Sequence, residues 1–231
     1  MNKQTEEILS GFIYIDALSI PLKVGFRIIS PAVIAGGPLE VEAFLINNST
    51  IPLKLFVSGD MIKSRFAHYA FEAFIDENLI VDPTPASAYL GGPQGGINVS
   101  AGETFIQTIL LNDYLKLEDA QTYIPSGVSK LLKLICHWNL KLSAKINAAQ
   151  FEHELTVSIP LAVVVVRNDG RLEKLSAKLY ADVLLTPVNL HSLNSLLAMR
   201  SAAMVYIEKL LNHQDPNIAA QAQNIYNSLS Q

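Results

Sequence analysis

Cys136 and His137 are adjacent, and a thiol beside an imidazole is the pairing that nucleophilic catalysis uses. Their setting rules the pair out. They lie in 131–142, where Leu132, Leu134, Cys136, Trp138, Leu140 and Leu142 alternate with Lys133, His137, Asn139 and Lys141, with Ile135 the exception. Alternation is the period of a β-strand, and strand neighbours point to opposite faces. Cys136 is therefore expected as a buried thiol and Trp138 as a core residue. His153 falls on the apolar side of 151–159, shared with Phe151, Leu155, Val157 and Ile159, and is expected as a satisfied core histidine rather than a ligand. No His-x-x-x-His spacing occurs, and a single cysteine makes neither a disulfide nor a cysteine zinc site. The run Gly91-Gly-Pro-Gln-Gly-Gly96 has the glycines of a phosphate loop. It lacks Lys-Ser/Thr and a following helix, and it sets a proline where an amide should point. Glu40 with Glu42, and Glu152 with Glu154, each share one strand face, whereas glycosidase carboxyls oppose one another across a cleft. These residues predict no catalytic, cofactor-binding or metal-binding site. An enzyme with a site not visible in the sequence stands as an alternative.

The elements that would position these residues read as strands over most of the chain. A possible first strand, 12–15, precedes 21–29, where Leu22, Val24, Phe26 and Ile28 alternate with Lys23, Gly25 and Arg27. Gly36-Gly37-Pro38 marks a turn. Strands 39–46 and 51–57 flank Asn47-Asn48-Ser49-Thr50, as either a β-hairpin or a sandwich corner. An aromatic strand at 66–75 and a short run at 79–81 follow. Residues 82–96 read as a loop too long for an ordinary connection, which makes it functional or mobile. The chain is organised around 98–123: a strand end, a tight turn at Ala101-Gly102-Glu103, strand 104–111, then a polar corner. Residues 161–166 show no alternation, as expected of a strand buried on both faces. At least seven closely spaced strands without intervening helices predict an antiparallel sandwich and not a parallel α/β sheet.

After Arg167-Asn-Asp-Gly170 the period becomes helical. Leu172, Leu175, Leu179 and Val183 form one apolar stripe, and Pro187 ends that segment. Leu190, Leu193 and Leu197 continue on a second helix. Ser201 is a candidate cap for a third, carrying Met204, Ile207, Leu210 and Leu211. Pro216 opens the last, with Ile218, Ala222, Ile225 and Leu229.

Composition narrows the partners. At 231 residues the chain buries enough surface to fold without disulfide or metal. The net charge of -4 and the lack of any Lys/Arg cluster argue against nucleic acid. The longest apolar run, 161–166, is far short of the roughly 20 residues of a membrane-spanning helix. The N-terminus shows no basic segment followed by an apolar run, so a cytoplasmic protein is expected. On that expectation Asn48-Ser-Thr and Asn98-Val-Ser are chance matches to a glycosylation site.

Three resemblances rest on quoted residues. Glu118-Asp-Ala-Gln-Thr-Tyr123 resembles the tyrosine corner of immunoglobulin-type sandwiches, with Pro125 where that family has its second cysteine. Leu45-Ile-Asn-Asn-Ser-Thr-Ile-Pro-Leu-Lys-Leu55 and Ser100-Ala-Gly-Glu-Thr104 are similar to the turns of a bacterial immunoglobulin-like module found in intracellular proteinase inhibitors. Tyr206-Ile-Glu-Lys-Leu-Leu211, the Asp215-Pro216 turn and the Ala-rich run behind it resemble one HEAT repeat, which is not stable alone. Together they imply a mainly β chain: an immunoglobulin-like sandwich over 11–166, then a helical segment over 171–231 with a HEAT-like hairpin at 200–229, expected to pack on the sandwich edge. The implied function is a non-catalytic protein-interaction module, an adaptor or regulatory subunit. A protease inhibitor presenting the 82–96 loop is the alternative. Candidate protein-binding residues are Tyr89 and Gln94 on that loop, Asp113 and an exposed Tyr114 at the polar corner, and Tyr206 on the helical hairpin. No cofactor is expected, and the partner is another protein.

Overall fold

A computed structural model of the protein describes residues 10–17, 20–29, 32–60, 65–81, 94–185 and 187–229. Its strands are β1 (Ser10–Ala17), β2 (Ile20–Ile28), β3 (Ala32–Ile34), β4 (Glu40–Asn47), β5 (Leu53–Asp60), β6 (Arg65–Phe66), β7 (Tyr69–Ile75), β8 (Asn78–Ile80), β9 (Gln94–Val99), β10 (Thr104–Leu110), β11 (Ser129–Ile146) and β12 (Ala149–Val166). Its helices are α1 (Arg171–Val183), α2 (Leu190–Ala198), α3 (Met204–Leu210) and α4 (Pro216–Leu229). The chain divides into two compact units.

The first unit, Met1–Pro31, Leu39–Lys116 and Leu131–Val164, is an antiparallel β-sandwich. One sheet has the order β1-β2-β4-β10. In the other, β11 lies between β12 on one side and two shorter strands on the other. Leu132–Trp138 pairs with β7, and Lys141–Ala144 pairs with β5. β8 extends β7, and β9 extends β5. The alternation forecast for β2, β4 and β11 is the burial observed: Leu22, Val24, Phe26, Val41, Leu45, Leu132, Cys136 and Trp138 are all buried. The sheets meet through aromatic rings. Phe26 of the first sheet lies 5.9–6.0 Å from Tyr69, Phe71 and Trp138 of the second, all edge-on. The arrangement is immunoglobulin-like in that the chain crosses repeatedly between two facing sheets.

One crossing is the corner left open by the sequence. β4 and β5 belong to different sheets, so Asn47–Thr50 makes a sandwich corner, not a hairpin. A second crossing, β9 to β10, turns at Gly102 (φ +74°). The β11–β12 connection is a tight hairpin in which both Asn147 (φ 49°) and Ala148 (φ 69°) are left-handed.

Several expectations change. Residues 151–166 are one continuous strand, and Leu161, Val163 and Val165 are buried while Val164 is exposed. Burial is thus one-sided here. His153 is only half-buried and Phe151 is exposed, because the hairpin tip from Lys145 to Glu152 is solvated apart from Ile146. The polar corner and the tyrosine-corner segment are 3-10 turns, Leu111–Asp113 and Leu117–Tyr123.

The second unit comprises Ala32–Pro38, Leu117–Lys130 and Val165–Gln231. Its helices share a core of Leu172, Val183, Leu193, Ile207, Leu210 and Ile218, with Ile34 packed against it. Gly36 (φ +82°) and Gly37 lie against Leu172, with 3.2 Å between Leu172 Cδ1 and the Cβ that Gly36 lacks. The Gly36 amide donates to the Leu117 carbonyl, and the Ala35 amide to that of Val166. Caps explain the boundaries. Asn168 Oδ1 accepts the amides of Arg171 and Leu172, Asn189 Oδ1 that of Ser192, and Asp215 Oδ1 that of Asn217 beside Pro216. Ser201 does not cap α3; it lies inside the 3-10 turn Arg200–Ala203 that leads into it. Leu190, forecast on the α2 stripe, is exposed, because α2 buries Leu193, Leu196 and Leu197 instead.

Candidate functional site

Tyr89, anticipated as a binding residue, lies outside the described residues. Gln94 opens β9, opposite Ser58 of β5, so the end of the anticipated loop is strand. At Gly96 the Lys54 side chain lies in the space a Cβ would need. Asp113 ends the one-turn helix Leu111–Asp113 and is half-buried.

Tyr114 corrects an expectation. It is buried, not exposed, since that one-turn helix folds its ring inward to 4.9 Å from Phe71. Its hydroxyl accepts the Phe66 amide at 2.6 Å and donates to the Phe66 carbonyl at 3.3 Å. It thus does what the sequence assigned to Tyr123, tying a turn to upstream backbone. Burial, and next the nearby Tyr114, hold the Tyr69 hydroxyl well above its ordinary pKa. Tyr206, on α3, is half-buried beside the Tyr180 ring at 5.2 Å, with Lys209 Nζ 5.0 Å from its centroid.

Cys136 and His137 part as strand geometry requires. The thiol is fully buried, and burial pushes its pKa far up. His137, on the opposite face, joins a constellation the sequence did not reveal. Its Nδ1 is 2.8 Å from Ser158 Oγ, and its Nε2 is 3.3 Å from Glu72 Oε1. With the proton on Nε2, this is a hydroxyl–imidazole–carboxylate array across β12, β11 and β7. Acyl transfer also needs free amides aimed at the developing oxyanion. β11 is flanked on both sides, so its amides are committed to the ladder. Other polar pairs bridge neighbouring strands in the same way, Asn139 Nδ2 with Glu154 at 3.2 Å and Arg27 with Glu42.

The residue that holds the sandwich corners together was read only as a turn residue. Asn47 is 0% exposed. Its Nδ2 donates to the carbonyls of Ile51 (2.8 Å), Val99 (3.2 Å) and Ser100 (3.1 Å), and its Oδ1 accepts the Ser49 amide and hydroxyl. Its backbone exchanges bonds with Glu103 and Gly102. One side chain thus ties the β4–β5 crossing to the β9–β10 crossing. Glu103 closes the second turn by accepting the Ser100 amide at 2.7 Å, which lowers its carboxyl pKa.

An open groove of about 530 Å³ in this unit is lined by Lys54, Asn98, Ser100, Ser143, Lys145 and Gln150. It is too shallow to enclose a small ligand. Among the described residues no group of three or more His, Cys, Asp or Glu is placed to hold a metal ion, and no helix is long and apolar enough to cross a membrane.

No protein-family model matches the chain, and no curated protein matches it. Among solved structures it is similar to AggA, the major subunit of aggregative adherence fimbriae type I from Escherichia coli. That likeness has 8% identity and a TM-score of 0.30, over 63% of this chain and 95% of AggA. A protein from Archaeoglobus fulgidus gives 8% identity and a TM-score of 0.24, over 62% and 94% of the two chains. Likeness at this level assigns neither family nor function.

Proposed function

We propose that the chain is a non-catalytic protein-interaction module, an adaptor or regulatory subunit of the cytoplasm, and that its helical unit carries the partner surface. The observation that supports this reading is the connection between α1 and α2. Leu184, Leu185 and Leu190 fall within it or at its edge, and each is more than half exposed. Three large aliphatic side chains left in water within so short a stretch, beside a core that already buries Leu193, Leu196 and Leu197, are the anchors of an apolar contact. Val205, on α3, is exposed to the same degree. In this reading the α3–α4 pair, with its resemblance to a HEAT repeat, is a support rather than a binding groove. Its inward residues Ile207, Leu210, Ile218 and Ala222 are taken up by the unit's own core.

The test compares the full chain with a variant carrying Leu185→Ser and Leu190→Ser. The expected result is a stoichiometric partner that copurifies with the wild type, rebinds once purified, and is lost from a variant of unchanged thermal midpoint. Equal capture by both chains, or no rebinding partner for either, would overturn the reading.

A further inference from the structure

β1 forms an edge of its sheet, and among the described residues it pairs only with β2, in unbroken register from Ser10↔Arg27 to Ala17↔Ile20. Natural edges are blunted by lysine, proline, bulges or brevity. β1 has none of these: it is eight residues long, unbulged, and reads Ser-Gly-Phe-Ile-Tyr-Ile-Asp-Ala, with one charge near its end. In the other sheet β12 packs close by, the Pro160 carbonyl oxygen lying 2.9 Å from the Cβ position that Gly11 leaves empty.

Exposure at β1 has a particular pattern. Phe12 (45%) and Tyr14 (70%) point outward, in line with Gly25 and Lys23. Ile13 points inward, opposite Val24, and is still 37% exposed. A body laid on the outer face would cover Phe12 and Tyr14 but not Ile13. A strand added beside β1 covers all three. The other edge of this sheet, β10, differs, because its inward Ile109 is buried and only its outward Ile106 is largely exposed.

We infer that β1 pairs antiparallel with β1 of a second copy of this chain, around a two-fold axis at Ile13, joining two four-stranded sheets into one of eight. The strand's own sequence selects that register. Centred on Ile13, Phe12 faces Tyr14 of the partner copy twice on the outer side, and Ile13 faces its own copy on the inner side. Aromatic cross-strand pairs of this kind are favourable. Asp16 then lies opposite Ser10, so no like charges meet, whereas a register centred near the end of the strand brings Asp16 towards Asp16. The outer aromatics are already held in place for it: Phe12 and Tyr14 stack edge-on at 5.7 Å, and Lys23 Nζ sits 3.7 Å above the Phe12 ring. A two-fold contact needs a patch complementary to itself, and this strand is one. About seven backbone hydrogen bonds form across the new junction. The inference concerns the sandwich unit and does not depend on the helical surface proposed above.

Two experiments on the full chain test it. In sedimentation velocity, the wild type is expected to show a concentration-dependent monomer–dimer equilibrium. Ile13→Lys, which sets two ammonium groups face to face at the axis, should weaken it at least about tenfold while the chain still unfolds in one cooperative transition. Under mild oxidation, Ile13→Cys should give a disulfide-linked dimer, since paired strands bring Cα atoms to about 4.5–5.5 Å. Asp16→Cys should not, because its copies lie about 20 Å apart in this register. The native Cys136 is buried and stays out of the reaction. A wild type that remains monomeric at every concentration, or cross-linking of Asp16→Cys as fast as Ile13→Cys, would refute the pairing.

Discussion

Burial of Cys136 makes the protein's stability depend on pH from the alkaline side. An unfolded chain loses its thiol proton near pH 8.5, and the folded chain keeps it well beyond that. Above that pH the unfolded state holds fewer protons, so stability falls as pH rises, with a slope approaching about 1.4 kcal/mol per unit. Below it the thiol is protonated in both states and contributes no pH dependence. Tyr69, whose hydroxyl is also shifted up, acts with the same sign above roughly pH 10. Urea unfolding from about pH 7.5 to 9.5 should therefore show a decline in the wild type that Cys136→Ala lacks; parallel curves for the two would mean that the thiol is open to solvent. Asn47 is the polar counterpart. Asn47→Ala leaves the buried carbonyl of Val99 and its neighbours without their donor, and a loss of about 3 kcal/mol in urea unfolding is expected. A loss below about 1 kcal/mol would show that water replaces the amide without penalty.

The β11–β12 hairpin carries a fault at its turn. A tight turn with positive φ at both central residues normally holds Asn-Gly, and here it holds Asn147-Ala148. An alanine in the left-handed region costs about 1–2 kcal/mol, part of which glycine gives back as unfolded-chain entropy. Ala148→Gly should raise the thermal midpoint by about 2–4 °C in a calorimetric scan. An unchanged or lowered midpoint would mean that the left-handed pair is not what the turn needs. The alternation that defines these strands was legible from residue types alone, because period 2 follows directly from backbone geometry. So were the α1 stripe and Pro216 at the head of α4. What the sequence hid was non-local. Whether Asn47–Thr50 closes a hairpin or a corner depends on where β9 lands, some 50 residues later. Tyr114, not Tyr123, ties its turn to upstream backbone because Phe66 lies within its reach. Ser158 and Glu72 meet His137 only through strand order, which alternation does not encode. Gly95 and Gly96 read as loop because glycine is a poor strand former, yet the Lys54 stem fills the space that Gly96 leaves.

At the scale of the molecule, the two compact units do not follow each other in the chain. The helical unit draws Ala32–Pro38 and Leu117–Lys130 from within the β-rich stretch. A chain ending at Asp169 would keep Ile34 and the Gly36–Gly37 turn but lose Leu172 and the core they pack on. Such a chain is expected to bind a hydrophobic dye strongly and to unfold over a broadened urea range. A sharp transition and no dye binding would show that the β-rich stretch is self-sufficient. The same interleaving sets a schedule for biosynthesis. Gly36 leaves the ribosome long before Leu172, the residue it rests against, because 136 residues separate them (172 − 36). At roughly 5–20 residues per second that interval is about 7–27 s. Throughout it the early segment waits without its other half, so a holding chaperone has its widest opportunity while the strands are being made.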